Sequence, residues 1–434
     1  MRRLIQPTRI LIVGGGGREH VLAWKLAAEP GVNDVLVLPG SDAIAREPRV
    51  RIRPGDPLDA PTVVAAARSF AAELVVVGPE APLAAGIVDA LAVSGVAVFG
   101  PTAAAARIES SKTFCREVAA TAGVPIARGR SFAADQRADA SAFARELAAD
   151  GGVVVKSDGL AGGKGVAVCD TVAEAQAAIA ALDGPLVVEE RLSGREASVI
   201  AVCDGRAAIA LPISRDHKRL GDGDTGPNTG GMGAYSPLPD LADDAADEIL
   251  DRFHRPVLAE LERRGTPFRG ALYAGLILTD DGPRLLEFNA RFGDPEAQAI
   301  LPRLAAPLGP VLLAAARGSL DGVRTLSTFP SATCAIVLAS GGYPDGSSAA
   351  ERIDGIDGAA DTGALVFHSA TRREDASWVT AGGRVLSMVG RGRDVADAAA
   401  AAERAADRIH WPGMRRRHDI GTSGERSVLA GVSG

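Results

Sequence analysis

Cysteine is scarce: the 434 residues carry four, Cys115, Cys169, Cys203 and Cys334, far apart and with no C-x-x-C pair. That spacing offers neither a disulfide framework nor a His/Cys cluster for zinc, and it predicts reduced, core-packed thiols. Long apolar runs are missing too, since none approaches the roughly 20 residues of a membrane span. The apolar stretch behind Arg2 and Arg3 is too short for a signal sequence, so a cytoplasmic protein is expected. Nor is positive charge in excess. A net charge of −7 creates no field favouring nucleic acid, and Arg415 to Arg417 read as a solvated tail patch. The P-loop is absent as well. In VVVKSDGLAGGKGV, Asp158 takes the first glycine position of G-x-x-x-x-G-K-[ST] and Gly165 follows Lys164 in place of Ser or Thr.

What is present is a globular composition, 47% hydrophobic and 23% charged, in a length that suggests about three domains. The first hundred residues alternate apolar runs (RILIVGG, DVLVLPG, VRIR, ELVVVGPE, VAVFGP) with helical patterns. Such alternation predicts a parallel sheet with ligands at its C-terminal edge. From Ser111 the texture becomes mixed. Helix SKTFCREVAATAG precedes strands VVVK, VAVC and LVVEERL, with helical segments between them. Asp204-Gly205 and Asp280-Asp281-Gly282 mark two hairpins. A glycine-rich loop is expected over 221–237 and one helix from Asp294 to Arg317. The remainder, with ALVFHSATRR as one strand, reads as a small α+β domain beyond a linker at 319–330.

Four stretches carry chemistry. Between two strands, Gly159, Gly162, Gly163 and Gly165 let backbone N–H groups approach phosphate, with Lys156 and Lys164 as cations. Because a strand follows, the element is a hairpin flap. In LVVEERLSGREAS, Glu189, Glu190 and Glu196 suit ribose hydroxyls or equally a charged turn. In RLLEFNARFGDPEAQ, strand alternation puts Glu287 and Asn289 on one face and Leu286 and Phe288 toward the core. A carboxylate plus an amide oxygen suits Mg²⁺, and Arg291 shares that face if the strand continues. Residues 214–237 gather Asp216, His217, Lys218 and Arg219 with six glycines, which reads as a substrate-cradling loop. GGGGREH only half matches a dinucleotide fingerprint, because Glu19 stands at its last glycine. A dinucleotide oxidoreductase, which would leave Glu287 and 221–237 without a role, and a non-catalytic ATP sensor are the rival classes.

In this order, VGGGGREHVLAWKL, VVVGPEAPL, IESSKTF, VKSDGLAGGKGV, VVEERLSGREAS, DHKRLGDGDTGPNTGGMGAYSP and LEFNARFGDPEAQ resemble the motif series of the ATP-grasp ligases. Within them the likeness is to the phosphoribosylamine–glycine ligase family, and it runs from about Arg9 to Gly421. The resemblance implies an α/β fold: a Rossmann-like parallel-sheet domain at 1–110, an ATP-grasp domain of two α+β lobes at 111–318 with its flap lobe at about 121–195, and an α+β C-terminal domain at 325–434. It implies ligation of glycine to 5-phosphoribosylamine through a glycyl phosphate, using ATP and Mg²⁺ or Mn²⁺; the alternative is another ATP-grasp carboxylate–amine ligase with a different amine or amino acid substrate. By the same carry-over Lys112, Lys156, Gly162, Gly163, Lys164, Glu189, Leu192 and Glu196 hold ATP, and Glu287 and Asn289 the metal. Arg291, Asp294 and Lys164 serve the reacting groups. Gly16, Gly17, Glu80, Asp216, Lys218, Pro227, Thr229, Gly230, Gly231, Met232 and Gly233 take the glycine and phosphoribosylamine side. A monomer is expected, with small-molecule substrates, transient contact with the upstream amine-producing enzyme, and neither nucleic acid nor membrane as partner. Three departures stand out: Ser41-Asp42-Ala43 for N-A-G, Ser110 for glycine, and a short LDGP connection. Asp42 would set a negative charge beside a phosphate unless it turns outward.

Overall fold

The computed structural model describes residues 4–149, 151–160, 165–242, 245–320, 322–347 and 350–422. Its first sheet is built from β1 (Arg9–Gly14), β2 (Asp34–Pro39), β3 (Val50–Ile52), β4 (Leu74–Val77) and β5 (Ala97–Phe99), all parallel in the order β3-β2-β1-β4-β5. Near-continuous apolar runs form these strands because helices cover both faces of the sheet. The helices are α1 (Gly17–Ala27), α2 (Ala60–Ser69), α3 (Glu80–Ala84), α4 (Ile87–Ala92) and α5 (Ala103–Ser110). Local chemistry sets the helix starts. Asp59 caps α2 by accepting the Thr62 N–H at 3.1 Å, and Thr102 caps α5.

Helix α6 (Lys112–Thr121) leads to a four-stranded sheet. It comprises β6 (Gly129–Phe132), β7 (Val153–Ser157), β8 (Val166–Cys169) and β9 (Leu186–Glu190), backed by α7 (Arg137–Ala148) and α8 (Val172–Ala181). Phe132, Phe143, Leu147, Val155 and Ile179 give this lobe a core of its own. The antiparallel pair β7–β8 is the hairpin anticipated from the failed P-loop match, with Ser157 N–H donating to Gly165 O at 2.7 Å.

The long pair β10 (Arg195–Asp204) and β11 (Ala208–Ala210) is followed by β12 (Arg215–Asp216), β13 (Arg219–Gly221), β14 (Thr225–Asn228) and β15 (Gly233–Ser236). The expected loop over 221–237 is therefore largely strand: β13 and β14 form an isolated hairpin, and β15 joins another sheet. Backbone pairing across glycines, which carries no side-chain periodicity, hid this from the sequence. Next come α9 (Ala245–Ile249), one π turn, α10 (Arg255–Arg263), and the hairpin β16 (Arg269–Thr279) and β17 (Gly282–Asn289), paired in the order β11-β10-β16-β17.

The single helix expected over 294–317 is broken into α11 (Glu296–Ile300), a 3₁₀ turn and α12 (Gly309–Ala316). Pro302 and Pro307 each lack the N–H that a continuous helix would need, and between them Leu304, at φ −73° and ψ 115°, leaves the helical region. The last part holds β18 (Ala332–Ala339), β19 (Arg352–Ile353), α13 (Ile356–Ala360), β20 (Leu365–His368), β21 (Thr371–Glu374), β22 (Ser377–Thr380), β23 (Arg384–Gly392) and α14 (Val395–Ala406). ALVFHSATRR is two strands in two sheets. The main one, β12-β15-β18-β23-β20, recruits two strands from before residue 240, so backbone hydrogen bonds tie the C-terminal part to the centre of the molecule. All four cysteines are buried and free, as their spacing implied.

Candidate active site

A cavity of about 950 Å³ opens between the β7–β8 flap and the β10–β16–β17 sheet. Along one wall lie Lys112, Lys156, Leu160, Glu189, Leu192 and Glu196. Lys156 is buried, bonded to Glu189 Oε2 at 2.6 Å and to Leu286 O at 2.9 Å. Arg116 holds the other Glu189 oxygen at 2.5 Å, so this carboxylate is committed to two cations. Lys112 Nζ donates to Gly159 O at 2.9 Å, and Asp158 accepts the Lys112 N–H at 2.5 Å. The residue that spoiled the P-loop match thus ties the base of the flap to the start of α6. Gly162, Gly163 and Lys164 lie outside the described residues.

The floor is β17. Glu287 and Asn289 line the cavity together, with Asn289 Nδ2 donating to Glu287 Oε1 at 3.3 Å. Leu286 does not reach the core as strict alternation predicted. A register shift opposite Gly275 and Leu276 leaves it unpaired, half-buried and facing the cavity. Burial opposes ionisation of Glu287, but Lys218, Lys156 and Lys112 outweigh it and hold its carboxyl below the usual range. An ionised carboxylate and an amide on one strand edge fit a hard divalent cation that takes its remaining ligands from phosphate and water. Among the described residues no group of three or more His, Cys, Asp or Glu side chains is placed to hold a metal without such help.

At the far end, Arg291 joins the site although β17 stops at Asn289. It pairs with Glu80 at 3.3 Å and Glu109 at 3.1 Å, and donates to Asn289 Oδ1 at 3.4 Å. Asp294 is paired with Arg384 at 3.3 Å and accepts from Gln298 at 2.9 Å. Burial would raise its carboxyl, yet Arg384 and Arg18 hold it low. On the third wall Lys218 pairs with Glu196 at 3.0 Å. Asp216 beside it is pushed upward, chiefly by burial and further by Glu296, Glu196 and Glu287.

The remaining expected residues divide. Glu80, Asp216, Lys218, Thr229 and Gly230 line the cavity. Pro227 is exposed on β14, and Met232 is fully buried, its backbone bridging His217 and Val337. Gly231, at φ +111°, packs where a Cβ would come within 2.5 Å of Pro295, and Gly233 sits inside β15. Gly16 and Gly17 begin α1, where Glu19 accepts the Gly16 N–H at 2.7 Å. None of these six residues is among those lining this cavity. Asp42 is exposed and accepts the Arg373 N–H at 2.9 Å, so its charge turns outward. Arg18, Glu109, Glu296 and Arg384 were missed. The first three lie inside quoted motifs and Arg384 lies far from them along the chain, so only tertiary proximity singles them out.

A flap sheet and a second sheet closing on lysines, a carboxylate–amide pair and an arginine define an ATP-grasp ligase. Consistent family models cover nearly the whole chain: the N domain of phosphoribosylglycinamide synthetase matches residues 8–109, its ATP-grasp (A) domain 110–297 and its C domain 333–423. The chain belongs to the phosphoribosylglycinamide synthetase family. It is 46% identical over 416 residues to the phosphoribosylamine–glycine ligase of Streptomyces coelicolor, covering 95% of this chain and 98% of that one. To the Vibrio cholerae enzyme of that name it is 43% identical, with 95% and 97% covered. The crystal structure of the Thermotoga maritima phosphoribosylamine–glycine ligase superposes with a TM-score of 0.78 at 31% identity, covering 95% and 99%. Biotin carboxylase from Campylobacter jejuni shares the fold at TM-score 0.69 and 17% identity, with 96% and 94% covered. No helix among the described residues is long and apolar enough to cross a membrane.

Proposed function

We propose that this enzyme joins glycine to 5-phosphoribosylamine at the expense of ATP, giving glycinamide ribonucleotide, ADP and phosphate. The observation that carries this reading is family membership over 95% of the chain, at 46% identity to a ligase of that activity. A glycine carboxylate oxygen attacks the γ-phosphorus and ADP leaves, which turns an unreactive carboxylate into an acyl phosphate. The amine nitrogen then adds to the acyl carbon, phosphate departs and the nitrogen loses a proton.

In this reading Lys112, Lys156 and Lys164 hold phosphate oxygens, and Leu192 and Glu196 border the nucleoside. Lys156 spends two donors on Glu189 and Leu286 O, and its third is free for a phosphate. Glu287 and Asn289 would hold Mg²⁺ or Mn²⁺, whose chemistry is to neutralise charge on the β- and γ-phosphates. Arg291 and Asp294 flank the reacting carboxylate. Since phosphoryl transfer depends mainly on positioning and electrostatics, no side-chain nucleophile is required. The flap closes over the acyl phosphate and excludes water. We assign the activity to a cytoplasmic monomer working on small molecules.

The test is phosphate release. It is expected only when ATP, Mg²⁺, glycine and phosphoribosylamine are supplied together. A folded preparation that stays idle with the complete set would overturn the assignment.

A further inference from the structure

The run Arg415–Arg417, expected as a solvated patch, is largely engaged with the protein. Arg416 pairs with Asp407 and, at 3.2 Å, with Glu403. Arg417 is 1% exposed and reaches Asp224 and Asp419 at 2.6 Å each, as well as the carbonyl of Arg219 at 3.2 Å. Asp419 Oδ2 in turn accepts the Gly223 N–H at 2.8 Å, and His418 N–H donates to Asp222 Oδ1 at 2.8 Å. Three consecutive residues near the C-terminal end therefore grip one hairpin, β13–β14, almost two hundred positions upstream.

That hairpin needs the grip. Among the described residues it pairs with no other strand, and its own residues are exposed or half-buried. Gly223, Asp224 and Gly226 take positive φ, and an isolated two-stranded hairpin is at best marginally stable in water. Yet Arg219, Asp224 and Asn228 line the cavity on the side of Lys218, which faces Glu196. A wall of the reaction chamber is thus held in place by polar bonds from another part of the chain.

We propose that Arg417, His418 and Asp419 are positioning residues that clamp the β13–β14 hairpin over the cavity and keep water from the acyl phosphate. This inference rests on the ligase reading above. With the clamp open, water adds to the acyl carbon in place of the amine and phosphate leaves. Glycine is regenerated with a proton lost to solvent, and ATP is consumed without amide formation. Neither the clamp nor its effect on coupling requires Arg417 to touch substrate.

The experiment compares full-length wild type, Arg417→Gln, Arg417→Lys and Asp222→Ala. Asp222 is exposed, so its substitution opens the grip from the hairpin side without disturbing a buried arginine. Two quantities are measured: phosphate released per amide formed, and hydrogen exchange of the backbone N–H groups of 219–228, which Pro227 lacks. Wild type is expected at one phosphate per amide. Arg417→Gln and Asp222→Ala should rise to about three or more, with Arg417→Lys between, because water gains access to the intermediate. Hairpin exchange should quicken about tenfold while core strands keep their protection. Unchanged coupling or unchanged exchange in both Arg417→Gln and Asp222→Ala overturns the clamp. If wild type itself consumes no ATP with the full substrate set, the ligase reading fails instead, and the exchange measurement still decides whether the grip orders the hairpin.

Discussion

Glu287 shows how a single side chain is prepared for its task. Its strand position was readable from alternation, but its ionised state depends on three lysines at positions 112, 156 and 218. Glu287→Gln removes the anion and leaves those cations facing one another. It is expected to lower kcat by about two to three orders of magnitude and to raise the Mg²⁺ needed for half-maximal rate, both measured by phosphate release. Arg291 is the opposite case, a cation between Glu80 and Glu109, with Glu109 almost wholly buried. Arg291→Met leaves Glu109 with only the Ala290 N–H and Glu80 with only the more distant Arg18, and a stability loss of about 1–3 kcal/mol in urea unfolding is expected. Asp42 gives a prediction of no effect. With its carboxylate turned outward to the Arg373 N–H, Asp42→Asn should leave the KM for phosphoribosylamine within about twofold of wild type. A clear fall in KM would mean that the charge does face the phosphate.

Elements were legible wherever their signal is local. Strands such as β1 and β4 are unbroken apolar runs, and α2, α5 and α6 start at Asp59, Thr102 and Ser111, which cap them. The reading went wrong where a partner far along the chain decides the matter. The bulge at Leu286 is set by the register against β16, and the β13–β14 hairpin by backbone pairing across glycines. Packing of α14 on β23 is likewise invisible in sequence. A Cβ at Gly390 would lie 2.1 Å from the Ala398 carbonyl, so the helix can approach only a glycine. Gly390→Ala should force the two apart and lower the unfolding midpoint by about 2 kcal/mol equivalent, with the cavity residues untouched.

At the scale of the whole molecule, four sheets converge on one cavity, and the C-terminal strands share a sheet with β12 and β15. Such sharing makes acid stability a global property. Burial lowers His254 to about 4 and His368 to about 3. The unfolded chain, with ordinary histidines near 6.5, therefore binds more protons between those values, and stability rises with pH across the window. Their contribution is fully present above about pH 6.5 and is lost as pH falls toward 4. Urea unfolding at pH 7 and pH 5 should differ by about 2–4 kcal/mol from this pair. His254→Leu should reduce the difference, and an unchanged pH dependence would remove His254 as a cause.

The sequence by itself determined the α/β class, the flap hairpin, the carboxylate–amide edge of β17 and the family, because each is written in residues close together along the chain. Tertiary structure alone decided that Glu189 is spent on Arg116 and Lys156, that Met232 is core, and that Arg18, Glu109 and Arg384 join the site. It also converted an arginine run from a solvated tail into a grip on the cavity wall. The physical reason is the same throughout. Pattern and capping act over a few residues, whereas burial, ion pairing and strand register depend on which distant segments the fold brings together.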